Sequence, residues 1–547
     1  MKERISVNPR VITVAITALC LVPFAGKAFH VDDTVFLAAA KHIQHDPVSF
    51  YGSSINWFGR DTPMTEVNKN PPLTCYYIAL VAKFFGWSEV ALHLAFLVPA
   101  VAVALGSFYL AKQFCSKPML AAMAGVLTPV FLVSSTNVMC DTMMLTFWVW
   151  AAFTWVWGMD EKKWYGLLIS TVFIAACALT KYFGVSLILL LFVYSLMKKR
   201  KIGTWVLYLL VSVAILALYQ WATFKLYGRG LLADAASTAT KWNLEYGVQL
   251  SWKVLVGLAF TGGGITTLLF YAPLLWSRRI LISGAVLMIL FMFAIVSVGR
   301  ISGFSIRTGN VVRSNVLIQF GLMSLTGLGV LWLAVADLYK CRDCKSLLLF
   351  LWVLGTFFFT AFVNWGVNER SVLPMTPAVG ILLARAIDRR GETGRAIGNW
   401  QVRWPLILTA IIALSVCWAD YTLAGTAREA AKTICETYKN RRPTTLWFMG
   451  HWGFQHYMEA YKARALDRKI PWPAAGDIIV IPENNTGQMP MPEGRTSMVQ
   501  VFEFVPCRWL STMSNSLGAG FYADAWGPLP FAFGRVPVEK YYIFVSR

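Results

Sequence analysis

Residues 11–33 read VITVAITALCLVPFAGKAFHVDD: an apolar run, then a lysine, a histidine and two adjacent carboxylates, Asp32 and Asp33. Residues 11–26 supply most of a membrane-spanning helix, and the chain leaves it through Lys27 and His30. An ionised carboxylate beside hydrocarbon is costly unless water, a partner or a function holds it there. Two readings of the pair stay open at this point. Either acid can cap the helix that VFLAAAKHIQ starts, or the pair does chemistry at the membrane surface. No short apolar segment with a small-residue cleavage site precedes the loop, so the sequence predicts a retained span.

Composition carries the same message along the whole chain. With 57% hydrophobic residues, 14% charged residues and 23 Trp in 547 positions, it lies far from an average soluble domain. Further apolar stretches follow near 89–113, 119–134, 142–158, 165–179, 183–197, 203–223, 252–275, 280–298, 316–338, 346–363, 371–387 and 404–421. With the first they make about thirteen spans. The net charge of +21 would suggest nucleic acid as a partner, but the basic residues sit mostly in short loops, where the positive-inside rule accounts for them.

A cytoplasmic N-terminus (Lys2, Arg4, Arg10) places Lys112, Lys117, Lys162, Lys163, the basic run 198–201, Arg278, Arg279, residues 340–345, Arg389 and Arg390 on that same side. Segments 29–87, 224–251 and 300–315 then face outward, with the tail. The expected architecture is an α-helical polytopic membrane domain, residues 1–421, with its acids in the first outer loop at 29–87. Residues 422–547 form a small extracytoplasmic α/β domain. The tail is richer in charge and proline and carries the β-patterned runs TTLWFM, DIIVI, MVQVFEFV and YYIFV. Helical stretches at 427–438 and 453–465 make βα alternation the expectation for its first half. About 120 residues suffice for a separate core.

The ten cysteines form no disulfide framework. Cys20, Cys140, Cys177 and Cys417 fall in or at the edge of spans, as small apolar packers. Cys341-x-x-Cys344 is half of a metal motif with no second half nearby. Cys435 and Cys507 share the outer tail, where a disulfide between them is open.

The first outer loop continues through Lys69-Asn70-Pro71-Pro72-Leu73 into TCYYIALVAKFFGW. That run is short and broken, and reads as an amphipathic helix in the interface. As an extra span it would invert the charge pattern downstream. A third acid, Asp141, stands where the third span hands over to the fourth, at the membrane level of Asp32 and Asp33. Three carboxylates at one level can set a general base beside a group that orients the acceptor or holds a metal ion. Capping is the other reading of Asp141, a task that Thr142 can serve as well.

Lys181 and Arg370 interrupt apolar stretches at the outer face, where cations suit a lipid phosphate; Arg300, Arg307 and Arg313 on another outer loop can join them. Thr261-Gly262-Gly263-Gly264 lies inside a span with no Lys-Ser/Thr after it, so it suits close helix packing better than a nucleotide loop. In the tail, His451, His456 and Glu459 can be read as zinc ligands or as a structural or acceptor-contacting loop. Asn484-Asn485-Thr486 fits a glycosylation sequon.

These motifs together resemble the protein O-mannosyltransferase and aminoarabinose transferase superfamily of C-type glycosyltransferases. The resemblance covers about residues 10–390. Asp32-Asp33 is similar to the family's acidic pair after the first span, and Asn70-Pro71-Pro72-Leu73 to its Pro-Pro-Leu element. Leu179-Thr180-Lys181 is similar to its Leu-Thr-Lys motif, and Arg370 with Leu373-Pro374 to its Arg-x-x-Leu-Pro element. Aminoarabinose transferases carry a Lys directly before Pro-Pro; this chain has Asn70 there and Lys69 one place earlier.

The resemblance implies a polyprenyl-phosphate-linked sugar as donor and an acceptor hydroxyl on protein, lipid or glycan. It implies Asp32 as the base, with Asp33 and Asp141 orienting the acceptor or a divalent metal ion. Lys69, Asn70, Lys181 and Arg370 would meet the donor phosphate. A phosphate leaving group needs no proton donor, so a single base and inversion follow. A secondary transporter or flippase of a lipid-linked glycan is the rival class. It would show charges at the bilayer midplane and internal repeats with broken helices.

Overall fold

The computed structural model describes residues 8–245, 250–392, 398–438, 445–492 and 494–547. Among them, eight helices are long and apolar enough to cross a bilayer, and two sharply bent pairs raise the number to ten. The bent pairs are Pro118–Val126 with Pro129–Ser135, at 67°, and Leu250–Gly264 with Thr267–Leu275, at 86°. The other apolar stretches of the sequence are helices too: Pro9–Phe24 and Trp164–Thr180 are shorter, and Cys140–Asp160 has 21 residues. The chain is a multi-pass membrane protein of the expected helical class.

Lipid exposure follows from the pattern of burial. The Arg278–Val298 helix buries only 6% of its apolar window, so its leucines and isoleucines need hydrocarbon around them. Glycine decides the tightest crossing. A Cβ on Gly262 would lie 1.9 Å from the Met323 carbonyl oxygen, and one on Gly327 would lie 2.0 Å from that of Leu258. The Gly262–Gly264 run therefore serves backbone approach between Leu250–Gly264 and Ser314–Cys341, as its position within a span suggests.

The loop after the first apolar helix opens with the helix Asp33–His45, passes a two-stranded hairpin (Ser54–Trp57 with Arg60–Pro63) and ends in the helix Leu73–Phe85. At 13 residues that last helix is about 20 Å long, too short to span. Leu80, Phe84 and Phe85 project from it into the surroundings, as an interfacial helix requires.

The tail folds around a five-stranded mixed sheet. Its spatial order is Thr496–Phe504, Glu539–Ser546, Ile478–Pro482, Leu446–Phe448, Arg464–Ala465. Leu446–Phe448 pairs parallel with both its neighbours, joined to Arg464–Ala465 through the helix Trp452–Ala460; the other pairings are antiparallel. The α/β reading thus describes the first half, and hairpin-like pairing the second. One 40-residue helix, Asn399–Tyr438, runs through position 421 from the bilayer region into the tail.

The tail is also fastened to the membrane part at many points. The Phe521 carbonyl accepts from the Glu369 amide at 2.9 Å, and Asp524 brackets Val367 by two hydrogen bonds. Asn56 donates to the Leu466 carbonyl at 3.0 Å. All ten cysteines are free thiols, so the Cys435–Cys507 disulfide is not formed; Cys435 instead packs its sulfur against Met458.

Candidate active site

The acid pair is split by its backbone. Val31 sits at φ 45°, a left-handed conformation that a β-branched residue adopts only under constraint. The two carboxylates that follow it take different environments. Asp33 is completely buried: its Oδ2 accepts from the His30 amide at 2.8 Å and its Oδ1 from the Val138 amide at 2.9 Å. Burial raises its carboxyl to about 7 against these hydrogen bonds. Asp33 is therefore a bracket between the turn at His30 and the loop before Asp141.

Asp32 occupies the N-cap position of the Asp33–His45 helix but its side chain makes no cap hydrogen bond. Its carboxylate instead accepts from Nη2 of Arg370 at 2.9 Å, and a third of the side chain stays exposed. The side chain of Asp32 therefore does not cap the helix and faces Arg370 instead. Asp141 likewise leaves the cap position to Met139. It receives Nζ of Lys181 at 2.6 Å and has Nη1 of Arg370 at 3.9 Å from its other oxygen. Lys181 is aimed there because the Trp164–Thr180 helix stops at Thr180 and the next residue is extended.

Arg370 is thus the hub, set between Asp32 and Asp141 with its guanidinium 5.6 Å over the ring of Tyr522 and Nη1 at 3.0 Å from the Met139 sulfur. Four sequence-predicted residues, Asp32, Asp141, Lys181 and Arg370, form one cluster of alternating charge. Glu369, next to Arg370, is fully buried, and neither of its carboxyl oxygens has a hydrogen-bond partner. Gly264 leaves it room, since a Cβ there would collide with its Oε1 at 1.4 Å.

Other expected residues lie apart. Lys69 donates to Asp234 at 2.6 Å and to the Thr65 carbonyl, in a group that Arg229 joins through Thr65. Asn70 takes part through its backbone: its amide donates to Asn68 and its carbonyl accepts from Tyr51. Arg313 is spent on Thr308 and the Ser516 carbonyl, and Arg307 donates to the Val296 carbonyl. None of these contacts reaches Asp32.

The side chains expected to hold a divalent ion have other partners. Among the described residues no three His, Cys, Asp or Glu side chains gather as ligands. Asp33 accepts from two amides with its two oxygens, and Asp141 faces Lys181. In the tail, His451, His456 and Glu459 likewise have separate partners. His451 stacks on Trp57 at 4.4 Å and accepts from the Phe58 amide, His456 meets the Phe29 ring edge-on, and Glu459 takes Gln455. The sequon Asn484 is engaged with Met513, Glu539 and Trp526.

Directly behind the acids lies a buried ion pair that the sequence reading missed. Lys27 donates to Asp420 at 2.5 Å and to Asn137 at 2.6 Å, and both charged side chains are 0% exposed. Asp420 also accepts from Thr512 and from the Tyr522 hydroxyl, and Asn137 donates to that hydroxyl. The network joins four separate chain segments around His30. An acid within the apolar stretch 404–421 was the available signal, with Lys27 as a partner for it.

Residues 69–222 match the family model described as dolichyl-phosphate-mannose-protein mannosyltransferase. No curated protein matches the chain. Among solved structures, the oligosaccharyltransferase of Archaeoglobus fulgidus tethered with an acceptor peptide aligns at 14% identity and TM-score 0.48, over 84% of this chain and 64% of that one. The chain thus spans less than two thirds of the archaeal protein. ArnT from Cupriavidus metallidurans bound to undecaprenyl phosphate aligns at 12% identity and TM-score 0.47, over 86% and 93%. Arabinosyltransferase EmbB from Mycobacterium smegmatis aligns at 14% identity and TM-score 0.35, over 95% and 49%. The family-model match covers the segment that carries Lys69, Asn70, Asp141 and Lys181.

Proposed function

We propose that the protein transfers a sugar from a polyprenyl-phosphate donor to an acceptor hydroxyl on the outer membrane face, with inversion, and that Asp32 is the base. The observation that carries this reading is the shared guanidinium: Arg370 holds Asp32 at 2.9 Å while Lys181 holds Asp141 at 2.6 Å. Two cations at the mouth of the helices suit the phosphate of a lipid whose tail lies among the spans.

The chemistry follows from the same contacts. An arriving phosphate takes hydrogen bonds from Arg370 and Lys181, and Nη2 of Arg370 turns from Asp32 to it. The freed carboxylate accepts the proton of the acceptor hydroxyl as its oxygen bonds to the anomeric carbon. The bond from that carbon to the phosphate oxygen breaks, and the phosphate departs as an anion that both cations stabilise. Asp33 holds the loop and Asp141 positions Lys181. The basic loops set the N-terminus in the cytoplasm and the tail outside.

Sugar transfer by the purified protein from radiolabelled polyprenyl-phosphate sugars, with lipid, glycan and peptide acceptors supplied in turn, tests the reading. Label in an acceptor is the expected result. Failure of every donor and acceptor pair, by protein that still binds polyprenyl phosphate, would overturn it.

A further inference from the structure

Two segments far apart in the chain run side by side next to the acids: residues 367–370, which end in Arg370, and residues 521–524 of the tail. The Glu369 amide donates to the Phe521 carbonyl at 2.9 Å, and the Asp524 amide donates to the Val367 carbonyl at 2.9 Å. Oδ1 of Asp524 accepts from the Val367 amide at 3.1 Å. These bonds fix the backbone directly before Arg370, and the tail supplies the partner in each.

The tail segment is itself held in shape. Gly520 donates to the Leu529 carbonyl at 2.7 Å and Leu529 to the Gly518 carbonyl at 3.0 Å, so residues 518–529 close into a loop. The Phe521 amide donates to the Thr512 carbonyl at 2.8 Å, and Nε1 of Trp526 donates to Asn484 at 2.7 Å. A Cβ on Gly527 would collide with the backbone of Gly518, so the loop closes only around glycine.

From this loop the buried side chain of Tyr522 enters the charged cluster. Its hydroxyl donates to Oδ2 of Asp420 at 2.8 Å and accepts from Asn137 at 3.0 Å, while the His30 ring meets it edge-on at 5.3 Å. The hydroxyl end is thus tied to the Lys27–Asp420 pair. The ring lies beneath the Arg370 guanidinium, 5.6 Å from its carbon.

That arrangement holds the cation without using its donors. A guanidinium gives its hydrogen bonds in its own plane, whereas an aromatic ring attracts it through the face. Tyr522 therefore competes with no acceptor. On the edge, Nη2 serves Asp32 at 2.9 Å and Nη1 faces the Met139 sulfur, a weak acceptor, at 3.0 Å. Nε is buried without a hydrogen-bond partner. The guanidinium keeps donor capacity for phosphate oxygens while its plane stays in place.

We propose that Tyr522 is a positioning residue for Arg370, its ring holding the guanidinium by the face while the edge turns from Asp32 to a lipid phosphate. The tail thereby completes the phosphate site of the membrane part. The phosphate itself rests on the transferase reading.

Binding of polyprenyl phosphate and steady-state sugar transfer by the full-length protein in detergent test this, with the thermal midpoint as the measure of folding. Tyr522→Leu is expected to lower affinity about tenfold, and Tyr522→Phe, which keeps the ring, to hold it within about threefold of wild type. Replacement of Tyr522 by phenylalanines with one, two and three ring fluorines withdraws electron density from the face at nearly constant size. Affinity and kcat/KM are expected to fall with each fluorine, while the thermal midpoint stays that of Tyr522→Phe. A ring that only filled space would not follow the series. Affinity independent of fluorination, or wild-type affinity in Tyr522→Leu, overturns the positioning role, and sugar transfer by the wild type then still supports the transferase. Fluorine-dependent affinity with no transfer by the wild type overturns the transferase and keeps the role of Tyr522. A wild-type protein that binds no polyprenyl phosphate overturns both.

Discussion

Arg370 donates to Asp32 at 2.9 Å across 338 positions of chain, and the same guanidinium approaches Asp141 at 3.9 Å. One cation thus serves two carboxylates, only one of which has solvent access: Asp32 is a third exposed, while the Asp141 side chain is 2% exposed. The acid that can meet an acceptor is the one whose partner can be drawn away.

Replacement of Asp32 by Asn keeps the shape of the side chain and removes its ability to take a proton. Transfer is expected to fall about 10²-fold or more, with affinity for polyprenyl phosphate unchanged or raised. Steady-state transfer together with a lipid-binding titration checks this. Wild-type turnover by the variant would remove Asp32 as the base.

Arg370→Lys preserves the charge but not the fork that reaches two acids at once. Its kcat/KM is expected to drop at least about tenfold, which corresponds to about 1.4 kcal/mol of transition-state stabilisation. The loss should appear with donors of any sugar, because the contact is to phosphate. Comparing two donors with the same lipid measures it.

The Lys27–Asp420 pair is wholly enclosed, so removal of one partner strands a charge. Lys27→Met should cost about 3–5 kcal/mol of stability, read as a lowered thermal midpoint in detergent. Lys27→Met combined with Asp420→Asn should recover part of it, because no charge is then left alone. A double variant as unstable as the sum of both single ones would show that the pair does not act as a unit.

Burial raises the Asp33 carboxyl from 3.8 to about 7 and that of Glu539 from 4.5 to about 7. The folded chain then binds protons that the unfolded chain has released between those values, so stability falls as pH rises from about 4 to about 7. Glu539→Gln should flatten that slope. Thermal unfolding across this pH window tests the sign, and a wild-type stability that rises over the window would contradict it.

Hydropathy made the spans legible in the sequence, and the acids at their mouths with them, because both are local properties of the chain. The short apolar helix Leu73–Phe85 and the packing role of the Gly262–Gly264 run were readable for the same reason. The pairing of Lys69 with Asp234 was not legible, because the two lie 165 positions apart. The separate partners of Asp33, Asp141, His451 and His456 were not legible, because residue types do not specify where side chains point.

What the sequence by itself determined is a helical membrane protein with carboxylates and cations at the ends of its apolar stretches. The tertiary structure decided which of them meet. A φ of 45° at Val31 precedes the split that sends Asp33 to backbone amides and leaves Asp32 to Arg370. Lys27 finds Asp420 across 393 positions, and Tyr522 of the tail lies under the site. Such contacts join segments with no common periodicity; they exist only once the helices pack, when burial makes every unpaired polar group costly and selects the partners that satisfy it.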